Sequence, residues 1–175
     1  MSARRGTATL LAMLLVGSAC RREAEPEVAP VVQTITAQAL ESLGALFSDY
    51  EQIHRALAAD RLEGVAAVAR GIGPAARALI PRVPPKLHGP LEGLASAADE
   101  LASATTIVDA RRAFGELSRD AIALVAVVPQ LGEGRRAFEC TMASGYPKWI
   151  QSGPGVANPY FGSEMLTCGT GSEWK

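Results

Sequence analysis

Four sulfur-bearing side chains near the C-terminus are the residues best suited to chemistry: Cys140 and Met142, then Met165 and Cys168. Cys140 and Met142 are two residues apart, so in an extended strand both side chains project to one side. Met165 and Cys168 are three apart, so on a helical turn they share a face. Folding the intervening segment back would gather two thiolates and two thioethers. That donor set selects Cu(I) or Ag(I), whereas hard cations prefer oxygen. Zinc fits less well, because a closed structural zinc site takes four Cys or His ligands. The two histidines, His54 and His88, lie upstream and form no metal-spaced pair. Each reads as a surface or packing residue.

The same cysteines support a second chemistry, and the N-terminus decides its weight. Arg4 and Arg5 make a positive front, Thr7 to Val16 an apolar stretch, and Gly17-Ser18-Ala19 a run of small residues. This order reads as a signal peptide over 1–19, with an apolar run too short to be a comfortable membrane span. Small residues followed by Cys20 resemble the lipobox of bacterial lipoproteins, with Gly17 where that pattern usually has Leu. Cys20 is therefore expected to carry the lipid anchor, on the periplasmic side of a bacterial cell envelope. Residues 20–30 hold charge and two prolines and read as a semi-extended tether.

With Cys20 acylated, Cys140 and Cys168 are an even pair in an oxidising compartment, where a bridge is the default. Closing the loop between them would stabilise by about 3–4 kcal/mol in the chain-entropy model. Met142 and Met165 would then be gap-filling residues. Both readings stay open at this level. They are also compatible as redox states, since thiolate ligation requires the reduced pair.

The tail has aromatic residues as well. Tyr146, Trp149, Tyr160 and Phe161 suit either a binding platform or the apolar anchors by which the tail docks on the rest of the domain. Asn158-Pro159 and Phe161-Gly162 read as turn chemistry.

What positions these residues is a helical region over 31–129. Ile35, Ala39, Leu43, Leu46, Tyr50, Ile53 and Leu57 recur at spacings of three and four, which predicts a first amphipathic helix. Asp60 with Glu63 suggests a capping box opening a second helix through Leu62, Val65, Ala66, Ala69 and Ile72. Gly71, Gly73 and Pro74 predict a kink or break before Ala75–Ile80. A third segment follows through Leu87, Leu91, Leu94, Ala98 and Leu101. A fourth, capped by Thr106 with Asp109, runs to Pro129. Four such segments with short connections predict an all-α fold, an antiparallel four-helix bundle. Residues 130–175, rich in Gly, Pro, Ser and Asn, predict a long and mostly irregular C-terminal segment wrapped on that bundle.

Composition narrows the function classes. Removing Arg4 and Arg5 with the signal takes the formal charge from −1 to −3, and no basic run follows the tether. Nucleic acid is therefore not an expected partner. The chain has no Gly-x-Ser-x-Gly elbow, no His-Glu-x-x-His, no phosphate-binding glycine loop, and no His near either tail cysteine. It is not expected to be an enzyme.

Four motifs occur in order: Cys140-Thr-Met-Ala-Ser-Gly, Trp149-Ile-Gln, Asn158-Pro-Tyr-Phe-Gly and Met165-Leu-Thr-Cys-Gly. Together they resemble a bacterial domain of unknown function. That domain is found alone or fused to the periplasmic adaptor (membrane-fusion) subunits of heavy-metal efflux pumps, such as those for copper. Tyr50-Glu-Gln-Ile, Ala56-Leu-Ala-Ala-Asp60 and Arg112-Ala-Phe-Gly-Glu-Leu-Ser118 are similar to its helix landmarks. Thr141 stands where that family usually has Pro. The resemblance implies a helical bundle with a wrapped C-terminal segment and an association with metal efflux. It leaves two expectations. One is a lipoprotein accessory binding Cu(I) or Ag(I) through Cys140, Met142, Met165 and Cys168. The other is a metal-free, disulfide-stabilised domain that docks on an efflux adaptor or another envelope protein.

Overall fold

The computed structural model describes residues 34–174. The signal segment, Cys20 and the tether lie outside the described residues. Four helices come first: α1 (Ala37–Ala58), α2 (Val65–Leu79), α3 (His88–Ser103) and α4 (Ile107–Val127). Each packs on the next, and α1 also meets α4. No helix among the described residues is long and apolar enough to cross a membrane.

The helix starts follow local chemistry. Thr36 caps α1, its hydroxyl accepting the Ala39 N–H at 3.2 Å. The face read from the sequence is the buried one, with Ala39, Leu43, Leu46, Tyr50, Ile53 and Leu57 all inside. At α4, Thr106 Oγ1 accepts from Asp109 N at 3.1 Å and donates to Asp109 Oδ2 at 2.7 Å. The cap expected there is present.

Two expectations for α2 are corrected. Asp60 does not cap it, because Gly64, in the left-handed region at φ 80°, occupies the N-cap. Asp60 instead follows α1 with φ 55° and turns its carboxylate toward the C-terminal tail. Nor does α2 break at Gly71–Pro74; it is one helix from Val65 to Leu79. Pro74 removes one backbone hydrogen bond, but Ala69, Ile72, Ala76 and Leu79 are all buried along that helix. Gly73 lies so close to α3 that a Cβ there would come within 2.8 Å of Asp99 Oδ1. The packing outweighs the local disruption. Leu79 then gives way to short 3-10 turns at Ile80–Arg82 and Pro85–Leu87.

The all-α reading does not hold for the tail. Residues 130–175 contain a three-stranded antiparallel sheet: β1 (Arg135–Glu139), β2 (Lys148–Ser152) and β3 (Thr170–Ser172), in the order β2-β1-β3. Phe138 stands opposite Trp149 and Ala137 opposite Ile150, while Glu139 pairs with Thr170 on the other side. The strands escape a periodicity search because β2 is buried on both faces. Trp149, Ile150 and Gln151 are all inside, so no alternation of apolar and polar residues marks them. β3 is three residues long and pairs with a strand more than thirty positions earlier, which no local window captures.

Candidate functional site

The tail docks through its aromatic residues, and α1 and α4 provide the floor. Tyr50 and Phe114 stack at 5.0 Å between ring centroids, and Phe114 meets Tyr160 at 6.1 Å. Tyr160 lies edge-on to Trp149 at 5.9 Å, and Trp149 stacks on Phe138 at 5.7 Å. This unbroken row of rings joins bundle to sheet. Its polar tips are engaged: the Tyr50 hydroxyl shares a hydrogen bond with Ser118 Oγ at 2.8 Å and accepts Ile150 N–H at 3.0 Å. The Tyr160 hydroxyl donates to the Lys148 carbonyl. Trp149, Tyr160 and Phe161 are thus packing anchors in the fold. Tyr146 is only half-buried and lies under the Arg119 guanidinium, 5.2 Å from its ring centroid.

One face of the sheet is tied to α1 by charge. Buried Glu51 accepts Arg135 Nε at 2.7 Å and Ser152 Oγ at 2.6 Å, and Arg55 sits 3.6 Å from it. The other face is closed by the returning loop. Gln151 Oε1 accepts both Trp149 Nε1 at 2.9 Å and Ala157 N at 3.0 Å. Gly169 crosses the Trp149 ring, where a Cβ would come within 2.6 Å of the indole.

Asn158 is the hub of the Asn-Pro-Tyr-Phe-Gly turn, and it is fully buried. Its Oδ1 accepts Tyr160 N at 2.8 Å and Phe161 N at 3.3 Å, while Nδ2 donates to Cys168 O at 2.8 Å. This is the turn role read from the sequence. Arg111 fastens the turn from outside, donating to the carbonyls of Pro159 at 2.9 Å and Leu57 at 3.1 Å, and to Asp60 Oδ1 at 2.6 Å. Asp60 Oδ2 in turn accepts Ser163 N at 2.9 Å. Gly162, at φ 58°, is the residue this clasp demands, since a Cβ would overlap the Asp60 carboxylate.

Cys140 and Cys168 form a disulfide with Cα atoms 5.8 Å apart. The bridge stands beside the β1–β3 ladder, immediately after β1 and just before β3. Cys140 is buried and Cys168 half-buried. In this state neither sulfur is a thiolate. Met142 projects into solvent at 63% exposure, and Met165 is half-buried. Among the described residues no three His, Cys, Asp or Glu side chains gather for a metal ion.

Reasoning from the sequence missed Arg111, Glu51 and Gln151, and understated His54. His54 is buried, and its Nε2 bonds the Ala157 carbonyl at 2.8 Å. A faint signal existed: Glu51 and His54 flank the apolar stripe of α1, where only a buried partner would favour them.

Burial pulls the His54 imidazole down to about 4, with Arg55 acting the same way against the Ala157 bond and Glu51. The unfolded ring protonates near 6.5, so stability falls as pH drops from there toward 4, by roughly 3 kcal/mol in all. Asp120 acts oppositely. Burial beside Gly93 raises its carboxyl to about 6, so acidification between 6 and 3.8 relieves a charged group. The hydrogen bonds from Ser163, then Arg111, hold Asp60 down to about 2, so its contribution is lost only below about pH 4. We expect urea unfolding to show a loss of stability from pH 7 to 4.5 that is steeper in Asp120→Asn than in wild type. Equal slopes, or an NMR titration of His54 near 6.5, would contradict this assignment.

No known protein family matches this chain, and no curated protein or solved structure is similar to it.

Proposed function

We propose that this chain is a lipid-anchored interaction domain of the bacterial envelope, tethered through Cys20 on the periplasmic side. Its disulfide-pinned tail and bundle dock onto another envelope protein, such as a metal-efflux adaptor. The observation that carries the reading is the Cys140–Cys168 bridge. It belongs to a tail whose buried polar side chains, Asn158, Gln151 and Glu51, are engaged in holding the tail's own shape. Side chains used in this way build a rigid surface rather than a reaction centre. The adaptor as partner, and the link to metal efflux, rest on the four tail motifs.

A second reading has its own support, because Met142 and Met165 lie two and three residues from the bridged cysteines. Reduction of the pair would free two thiolates beside two thioethers, a donor set for Cu(I) or Ag(I). One experiment separates the two. The full chain is titrated with a purified efflux adaptor in its oxidised form, and with Cu(I) against a competing chelator in its reduced form. Saturable adaptor binding by the oxidised protein, without Cys-dependent Cu(I) uptake after reduction, is the expected result. Cu(I) uptake that Cys140→Ser abolishes, with no adaptor binding, would replace the first reading by the second. Intact-mass measurement tests the anchor, and a mature protein lacking acyl chains at Cys20 would remove it.

A further inference from the structure

We propose that the apolar cleft at the end of the bundle where α1 begins seats an anionic phospholipid of the membrane, its phosphate on Lys86 and Arg82 and its acyl chain in the cleft. The cleft has a volume of about 450 Å³ and forms where the start of α1, the α2–α3 connection and the end of α4 meet. Ile35, Leu40, Pro84, Leu87, Val127 and Pro129 give it apolar walls. Val127 is 43% exposed, so one of those walls is an apolar side chain left open to solvent. A concave apolar surface of this kind takes an apolar ligand group.

Charge narrows the ligand. Lys86 is the one charged residue that lines the cleft, and no carboxylate lines it. Arg82 is exposed on the same connection, two residues before Pro84. Among the described residues neither cation has an ion pair or a side-chain hydrogen bond, whereas Arg77, Arg111, Arg112, Arg119 and Arg135 each meet a carboxylate. Two uncommitted cations beside an apolar cleft match an amphiphile with an anionic head. The connection that carries them is already held in shape. Pro81, Pro84 and Pro85 restrict its backbone. Leu87 N–H donates to the Pro84 carbonyl at 2.9 Å, and His88 Nε2 donates to the Val83 carbonyl at 3.1 Å. A preformed connection lowers the ordering cost of binding.

Position says where the lipid comes from. Thr34, the first described residue, also lines the cleft. Cys20 is fourteen residues upstream, a stretch that reaches no more than about 50 Å at full extension. An anchor at Cys20 therefore makes capture of a membrane lipid by this cleft an intramolecular event. The inference rests on the proposed anchor for that proximity alone.

The test uses the acylated chain carrying an environment-sensitive fluorophore on Val127→Cys. Flotation with phosphatidylcholine vesicles reads the anchor. The blue shift of the label on vesicles of equimolar phosphatidylcholine and phosphatidylglycerol reads the cleft. We expect that shift on the anionic vesicles only, with the docked-to-undocked ratio falling about fivefold in each of Lys86→Gln and Arg82→Gln. Arg61→Gln, beyond the far end of α1, should leave the ratio unchanged. No shift, an equal shift on phosphatidylcholine alone, or unchanged ratios in both glutamine variants would overturn the proposal. A label already shielded before vesicles are added would show that the chain's own upstream segment or a second copy fills the cleft, and would overturn it too. A chain that does not float with phosphatidylcholine vesicles has no anchor, and the label's response on the anionic vesicles then decides the cleft separately.

Discussion

Removing the Cys140–Cys168 bridge should lower the unfolding free energy by about 3–4 kcal/mol, which corresponds to a fall in Tm of roughly 10 °C for a domain of this size. The loop it closes spans 28 residues, and in the reduced unfolded chain that loop regains the freedom the bridge removes. The folded state also depends on it locally. β3 is three residues long at the edge of the sheet, with Thr170 and Gly171 exposed, so little apolar burial holds it to β1. The double variant Cys140→Ser/Cys168→Ser, and wild type in excess reductant, should melt at the same lowered temperature. Helical circular dichroism at 20 °C should persist in both, because the bundle core from Leu43 to Val125 lies outside the loop. A Tm within about 2 °C of the oxidised protein would mean that the bridge adds no stability.

Truncating Trp149 should cost more than any other single side chain in the tail. Trp149→Ala is expected to destabilise by about 3–5 kcal/mol in denaturant unfolding. The indole is completely buried between Phe138, Tyr160 and the backbone of Gly169. Gly169 lies against the ring with no side chain of its own, so nothing there can swing in to fill the hole. Loss of the Nε1 donor is the smaller effect, because Gln151 Oε1 still accepts Ala157 N. Trp149→Phe keeps the stack on Phe138 and should cost well under half as much. A loss below about 1 kcal/mol for the alanine variant would show that the tail can detach without cost, and that the ring row from Tyr50 to Phe138 does not anchor it.

How much of this was legible in the sequence follows from which interactions are local. The buried face of α1, the Thr106 cap and the existence of four helical segments depend on residues within four of one another. Spacing therefore sufficed to find them. So did the turn chemistry of Asn158 and Gly162, and the even pair of tail cysteines.

The sheet and the clasp depend on partners far apart in the chain. Asp60 has the spacing of a helix cap, yet it binds Ser163 and Arg111 instead, because the tail brings a backbone N–H and a guanidinium to its carboxylate. Pro74 has the local signature of a break, and packing against α3 overrides it. β2 lacks alternation because helices cover one face and the returning loop covers the other. Cys140 and Cys168 were suited both to ligation and to a bridge, with the bridge the default in an oxidising compartment. What chose the bridge was the β1–β3 pairing, which sets their Cα atoms 5.8 Å apart, within bonding reach of two thiols. The sequence determined which residues had the chemistry; long-range pairing of backbone and burial decided which of them meet.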